Sequence, residues 1–233
     1  MDVAAKSHLP HLSPFVADPR IPPIDLERLA DRDAPEAAWS LRIPARHTIF
    51  AMGDPTDGIF ETSEGSVMIL RKLPDGRRKI IDIVGPGRLF GFSKERRHDC
   101  SGESLSPCMV LGYDRATLSS HPAIASRVTA AMMEEIHRLR EVVALLGRKS
   151  AMERVASFYA ALLPDEETRR ATVAVPVTRG EMADYLDLTL ETVSRNVAKL
   201  KRMAVLGKEE SDEIKVLDGA RLKALARGEE AEE

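Results

Sequence analysis

Residues 178–200 run TRGEMADYLDLTLETVSRNVAKL, and the order of caps and apolar steps in this stretch predicts two helices joined by a very short turn. Thr178 and Thr189 stand where a side-chain oxygen can accept from a free N–H of the first helical turn, so each caps one helix. Met182, Ala183 and Leu186 form the inward face of the first helix, and small Ala183 lets the second approach closely. In the second, Leu190, Val193, Val197 and Leu200 recur at steps of three, four and three, which predicts one buried stripe. Glu191, Ser194 and Arg195 are left together on the opposite side. An arginine can donate two hydrogen bonds to guanine O6 and N7, and a glutamate can accept from cytosine N4, so this face has the chemistry to read a DNA major groove. Glu191 and Arg195 are four apart, and an exposed ion pair of ~0.3–0.5 kcal/mol is the competing reading of the pair alone. The caps, the small residue and the short turn together favour DNA reading.

Downstream, Val205–Lys208 and Ile214–Leu217 flank a polar turn and predict a β-hairpin wing, after which Asp218 caps a last short helix to Ala226. The whole chain has a formal net charge of -3, yet Arg179, Arg195, Lys199, Lys201, Arg202 and Lys208 fall in one short stretch. Acidic residues crowd the end instead, at Glu229, Glu230, Glu232 and Glu233. Distribution decides whether DNA is attracted, so a basic face can exist on an acidic protein. Thr178, Arg179, Thr189, Thr192, Lys199 and Lys201 are the expected contacts to the DNA backbone. Upstream, Ser150 caps a helix running to Leu163, and Gly147 stops a longer one from about Ala123 to Leu146. In that longer helix Ala125, Val128, Met132, Ile136, Leu139, Val143 and Leu146 fall on one stripe with charged flanks. The stripe suits either the buried face of a core helix or a seam between two helices, and its length favours the seam.

From Leu41 to Asp114 the texture is β-prone, with short runs at His47–Ala51, Gly58–Thr62, Ser66–Leu73, Lys79–Val84 and Cys108–Tyr113. Pro74-Asp75-Gly76 is a hairpin signal and Gly85-Pro86-Gly87 a second tight turn. Close spacing of such runs predicts a small antiparallel sandwich or barrel. Met1 to about Pro35 is proline-rich and polar, an arm with a short helix at Asp25–Ala30. Length (233 residues) and 43% hydrophobic content allow two cores. No apolar run approaches a bilayer span, and the start lacks a signal-peptide pattern, so a cytoplasmic protein with no membrane partner is expected. Two cysteines, Cys100 and Cys108, fit that reducing compartment.

On ADYLDLTLETVSRNVAKL, supported by LPDGRRKIIDIVGPGRLFGF at 73–92 and LLGRKSAMERVASF at 145–158, the chain resembles the CRP/FNR superfamily of bacterial regulators, most of all its FixK-type and other FNR-type members. The resemblance covers about 41–225 and implies an α+β fold in four parts. These are an arm at 1–35, an antiparallel β-roll of the cyclic-nucleotide-binding kind at 36–120, a dimerisation helix at 121–147, and a winged helix-turn-helix at 148–233. It implies a homodimer, with Val128, Met132, Ile136, Leu139, Val143 and Leu146 in the seam, that binds a palindromic site on double-stranded DNA, works as an activator and engages RNA polymerase. Asp187 stands where the family usually has glycine in the turn, a place aspartate tolerates. Leu190 replaces the arginine of the cyclic-AMP branch, which implies a TTGAT-N4-ATCAA-like site. At the positions that hold cyclic nucleotide in that branch the chain has Phe92, His98 and Asp99, although a slipped alignment could supply Arg96 or Arg97. An effector-free regulator is therefore expected, with a ligand-dependent one, sensing a cyclic nucleotide or another small molecule in the roll, as the alternative. Cys100 and Cys108 are too few for an iron-sulfur centre, and His8 and His11 are better read as solvated than as metal ligands. No P-loop, nucleophile elbow or paired metal motif is present, so no enzyme, cofactor or metal is expected.

Overall fold

A computed structural model describes residues 39–229 except 57, 75, 77, 147–149, 166 and 211; the side chains at 138 and 141–146 are also outside it. The arm, its expected helix, the Gly147 stop, Asp75 of the expected hairpin turn and the Val143 and Leu146 side chains thus lie outside the described residues. Eight strands form two antiparallel sheets. One has β1 (Trp39–Ile43), β8 (Cys108–Asp114), β3 (Gly58–Glu64) and β6 (Leu89–Phe90) in that order; the other has β2 (Thr48–Phe50), β7 (Ser101–Ser104), β4 (Val67–Lys72) and β5 (Arg78–Val84). The five expected runs correspond to β2, β3, β4, β5 and β8 with their ends shifted by one or two residues. β1, β6 and β7 are additional.

Alternation along β4 divides it between two cores, as a period of two requires. Val67 and Ile69 join Ile43, Phe50, Val84, Phe90, Cys100, Cys108 and Val110 inside the roll, whereas Met68 and Leu70 belong to the core of the C-terminal half. On β5 the register slips between Ile69↔Asp82 and Leu70↔Ile80, leaving Ile81 as the extra residue of a bulge. That extra residue lets Ile80 and Ile83, three apart, enter the same C-terminal core while Ile81 is exposed.

Two helices follow the roll, α1 (Arg115–Ser120, capped by the Asp114 carboxylate) and α2 (Pro122–Leu146). One face of α2 is pinned to the roll by Ile124 and Ala131, which share a cluster with Ile59, Leu89 and Leu111. Charge assists: Arg127 stands 2.6 Å from the buried carboxylate of Glu61, which also accepts from Tyr113 Oη at 2.9 Å. Arg88 binds both Asp82 and Glu135 of α2. Val128, expected in the seam, is half-buried and packs against the roll cluster.

The C-terminal half opens with α3 (Ala151–Ala160), whose Ser150 and Glu153 form a full capping box. Its expected extension to Leu163 does not occur. Leu162 and Leu163 bond to the carbonyls three residues back, at 3.1 and 3.2 Å, and this tighter winding closes the helix ahead of Pro164. The remaining elements are β9 (Ala171–Ala174), α4 (Arg179–Leu186), α5 (Leu190–Arg202), β10 (Leu206–Glu210), β11 (Glu213–Val216) and α6 (Gly219–Arg227), with the strands ordered β10-β11-β9. β10 and β11 are the expected wing, shifted by one or two residues. Asp218 caps α6 as expected, through the N–H of Arg221.

Candidate DNA-reading face

Local side-chain caps bound both helices of the α4–α5 pair. Thr178 and Glu181 exchange hydrogen bonds across the start of α4, Thr178 N donating to Glu181 Oε2 at 2.7 Å and Glu181 N to Thr178 Oγ1 at 3.2 Å. Asp187 closes α4 in the left-handed region (φ 57°, ψ 48°), and its carboxylate meets Lys79 at 2.7 Å. Thr189 then caps α5 by accepting from Thr192 N, and the two threonine hydroxyls are 2.8 Å apart.

Met182 and Ala183 of α4 are buried against Val193, Val197 and Leu200 of α5, the expected packing. Leu190 departs from it, being 53% exposed. A stripe is buried only where something covers it, and the first turn of α5 is uncovered; Asn196 takes part in the buried face instead, its Nδ2 held by Thr192 O at 2.8 Å. Glu191, Ser194 and Arg195 are all exposed, and among the described residues no ion pair joins Glu191 to Arg195. Leu190, Glu191, Ser194 and Arg195 make a mixed apolar and polar surface at the N-terminal end of α5, where the helix dipole is positive.

Of the cations expected at the DNA backbone, Lys199 and Lys201 lie in the last turn of α5, with Arg202 beside them, and Arg179 begins α4. Arg179 and Lys201 both bind Glu209 of β10, at 2.5 and 3.1 Å, and Arg179 also donates to Tyr159 Oη. Burial opposes the ionised form of Glu209, but the Lys201 and Arg179 contacts outweigh it and hold the carboxyl below its usual range. Glu209 was not legible as a site residue; four carboxylates in the wing sequence KEESDEIK at 208–215 were the only signal.

On α2, Met132, Ile136 and Leu139 of the expected seam are 43%, 42% and 49% exposed, and Met133 beside them is also exposed. Within the roll, Phe92 is half-buried against the cluster that α2 joins. His98 is buried with its ring 3.8 Å from that of Phe50, inside a stack that includes Phe60 and Phe90. Gly91, at φ +80°, admits Phe60 so closely that a Cβ there would lie 2.6 Å from the ring. Asp99, Arg96 and Arg97 are exposed, and Arg97 is spent on Gly53 O at 2.7 Å. A cleft of about 220 Å³ beside Trp39, Thr56, Phe60 and His98 remains. Cys100 and Cys108 are buried free thiols, the former pushed up to about 11 by burial and by Asp99. No metal-binding cluster occurs among the described residues, and none of their helices is long and apolar enough to cross a membrane.

A Crp-like helix-turn-helix domain matches residues 153–225, and a cyclic nucleotide-binding domain matches residues 40–120. The chain is similar to the nitrogen fixation regulation protein FixK of Bradyrhizobium diazoefficiens, at 34% identity over 77% of this chain and 78% of that protein. It is 32% identical to the transcriptional activatory protein AadR of Rhodopseudomonas palustris over 81% of this chain and 82% of the relative. The solved structure of FixK2 from Bradyrhizobium japonicum superposes with a TM-score of 0.69 at 29% identity, covering 81% of this chain and 96% of that one.

Proposed function

The chain belongs to the CRP/FNR family of DNA-binding transcription regulators, in its FixK-type branch, and on that premise we propose that it is an effector-independent homodimeric activator of TTGAT-N4-ATCAA-like promoters. The observation that carries the reading is the uncovered start of α5, where Leu190, Glu191, Ser194 and Arg195 are exposed above a buried Val193, Val197 and Leu200. Arg195 takes the guanine edge of the half-site and Glu191 the amino group of the opposing cytosine or a neighbouring adenine. Ser194 contacts an adjacent base or phosphate, and exposed Leu190 offers an apolar surface to a thymine methyl. Thr178, Arg179, Thr189, Thr192, Lys199 and Lys201 hold the backbone. Two-fold DNA symmetry calls for a two-fold protein, and the exposed stripe of α2 supplies a seam. Engagement of RNA polymerase from the promoter, in the cytoplasm, completes the role.

Effector independence is supported by the stacked aromatic interior and by the small cleft, since ligand sites for molecules of nucleotide size span about 300 Å³ or more. The test is selection from a random DNA pool by purified protein without added ligand. Enrichment of TTGAT-N4-ATCAA is expected, and Arg195→Ala is expected to cost about 1–3 kcal/mol on that site while relaxing its guanine. A pool without a two-fold repeat overturns the site. Strict dependence of binding on a cyclic nucleotide overturns effector independence and leaves the ligand-gated alternative.

A further inference from the structure

Two of the cations assigned to the DNA backbone already hold an anion from their own chain. Oε2 of Glu209 lies 2.5 Å from Arg179 Nη2 and 3.1 Å from Lys201 Nζ. Arg179 begins α4, Lys201 lies in the last turn of α5, and Glu209 is in the first wing strand, so one carboxylate oxygen ties together three elements of the winged-helix half. The side chains of Arg179, Lys201 and Glu209 are 24%, 35% and 34% exposed, which leaves all three within reach of a second anion. Tyr159 Oη, buried behind them, fixes the other arm of the guanidinium.

A guanidinium and an ammonium that donate to one carboxylate oxygen can donate in the same way to a phosphate oxygen. We propose that Glu209 is a built-in competitor of the DNA backbone, occupying the phosphate place on Arg179 and Lys201 until DNA displaces it. The inference rests on the reading of this face as DNA-binding. Its consequence is for specificity. Phosphate contacts are alike for every sequence, so an internal anion that weakens them lowers affinity for all DNA equally and leaves discrimination to Glu191, Ser194 and Arg195.

Glu209→Gln removes the charge and keeps an oxygen able to accept from both cations. In fluorescence anisotropy with full-length protein, the TTGAT-N4-ATCAA duplex and a scrambled duplex should both bind more tightly, by the same factor, on the order of three- to tenfold at low salt. The slope of log K against log salt should steepen by about one phosphate contact. Glu210→Gln, which touches neither cation, should change both by less than twofold. Glu209→Met, with a neutral stem of similar length, is to give the same rise should glutamine lower the melting temperature. Unchanged or weaker binding with an unchanged salt slope in both Glu209 variants overturns the proposal and leaves Glu209 a structural tie. A wild-type protein that binds neither duplex overturns the DNA reading itself, a separable failure.

Discussion

His98 is 4% exposed, its ring centroid lies 3.8 Å from that of Phe50, and its Nδ1 has no hydrogen-bond partner among the described residues. Burial lowers its pKa, and the nearby charges of Asp54 and Asp99 only partly oppose this. The folded protein thus keeps the imidazole neutral, whereas the unfolded chain protonates it near about pH 6.5. A depressed folded value means that this contribution to stability is fully present above the unfolded pKa and is lost as pH falls through it towards the folded one. Thermal denaturation should show a lower Tm at about pH 5.5 than at about pH 7.5, and His98→Phe, which retains a ring in the stack, should flatten that slope; an undiminished slope would place the titrating group elsewhere. At this scale the caps at Thr178, Thr189 and Asp218 were legible because each follows from local backbone chemistry, and the left-handed Asp187 was expected from the family resemblance. Leu190, His98 and Glu209 were not. Their roles depend on what covers or faces them across the fold, which periodicity along one element does not contain.

Among the elements, α2 presents the boldest departure from a monomer's surface. Its Ile124 and Ala131 are buried on the roll while Met132, Met133, Ile136 and Leu139 stand 42–64% exposed. Contiguous apolar residues on one flank of a 25-residue helix are costly to leave in water. Leu139→Glu would put an unpaired carboxylate into a two-helix seam, so sedimentation should shift to monomer and DNA binding should fall with it, without loss of the folded roll. A Leu139→Glu protein that sediments as a dimer would place the interface elsewhere. The length and stripe of α2 were readable because a helical period over that distance has few alternatives. Strand β7 was not, since SGES has no apolar side chain: its buried positions are Gly102 and Ser104, and only pairing with β2 and β4 makes it a strand. β1 was missed for a related reason, as four of its five residues are exposed. The small glycine at 112 explains how Trp39 nonetheless seats there, for a Cβ would stand 2.2 Å from its ring.

The whole molecule is bound together by the outer face of the second sheet. Met68, Leu70, Ile80 and Ile83 from the roll, with Leu105, belong to the same core as Met152, Val155, Met182 and Leu200, and the ion pairs Arg46–Glu181 and Lys79–Asp187 flank it. No sequence pattern announced this contact, because residues on β4 and β5 that face a second domain look the same as residues that face their own sheet partner. Exposed ion pairs such as Lys79–Asp187, 37% and 70% exposed, contribute only about 0–1 kcal/mol each. The apolar contact must therefore dominate the coupling. Ile83 is fully buried in it, and replacing it with alanine should cost about 2–5 kcal/mol through lost burial and the cavity left behind. Because the lost contacts are shared between the roll and the helix-turn-helix half, scanning calorimetry of the wild type should show one cooperative transition, and Ile83→Ala should lower that single transition as a whole. If the same contact orients α5, Ile83→Ala should also weaken binding to the two-fold site more than to an isolated half-site. Two resolved transitions, of which only the roll's moves, would show that the two halves fold independently and that the apolar seat does not orient the DNA-reading face.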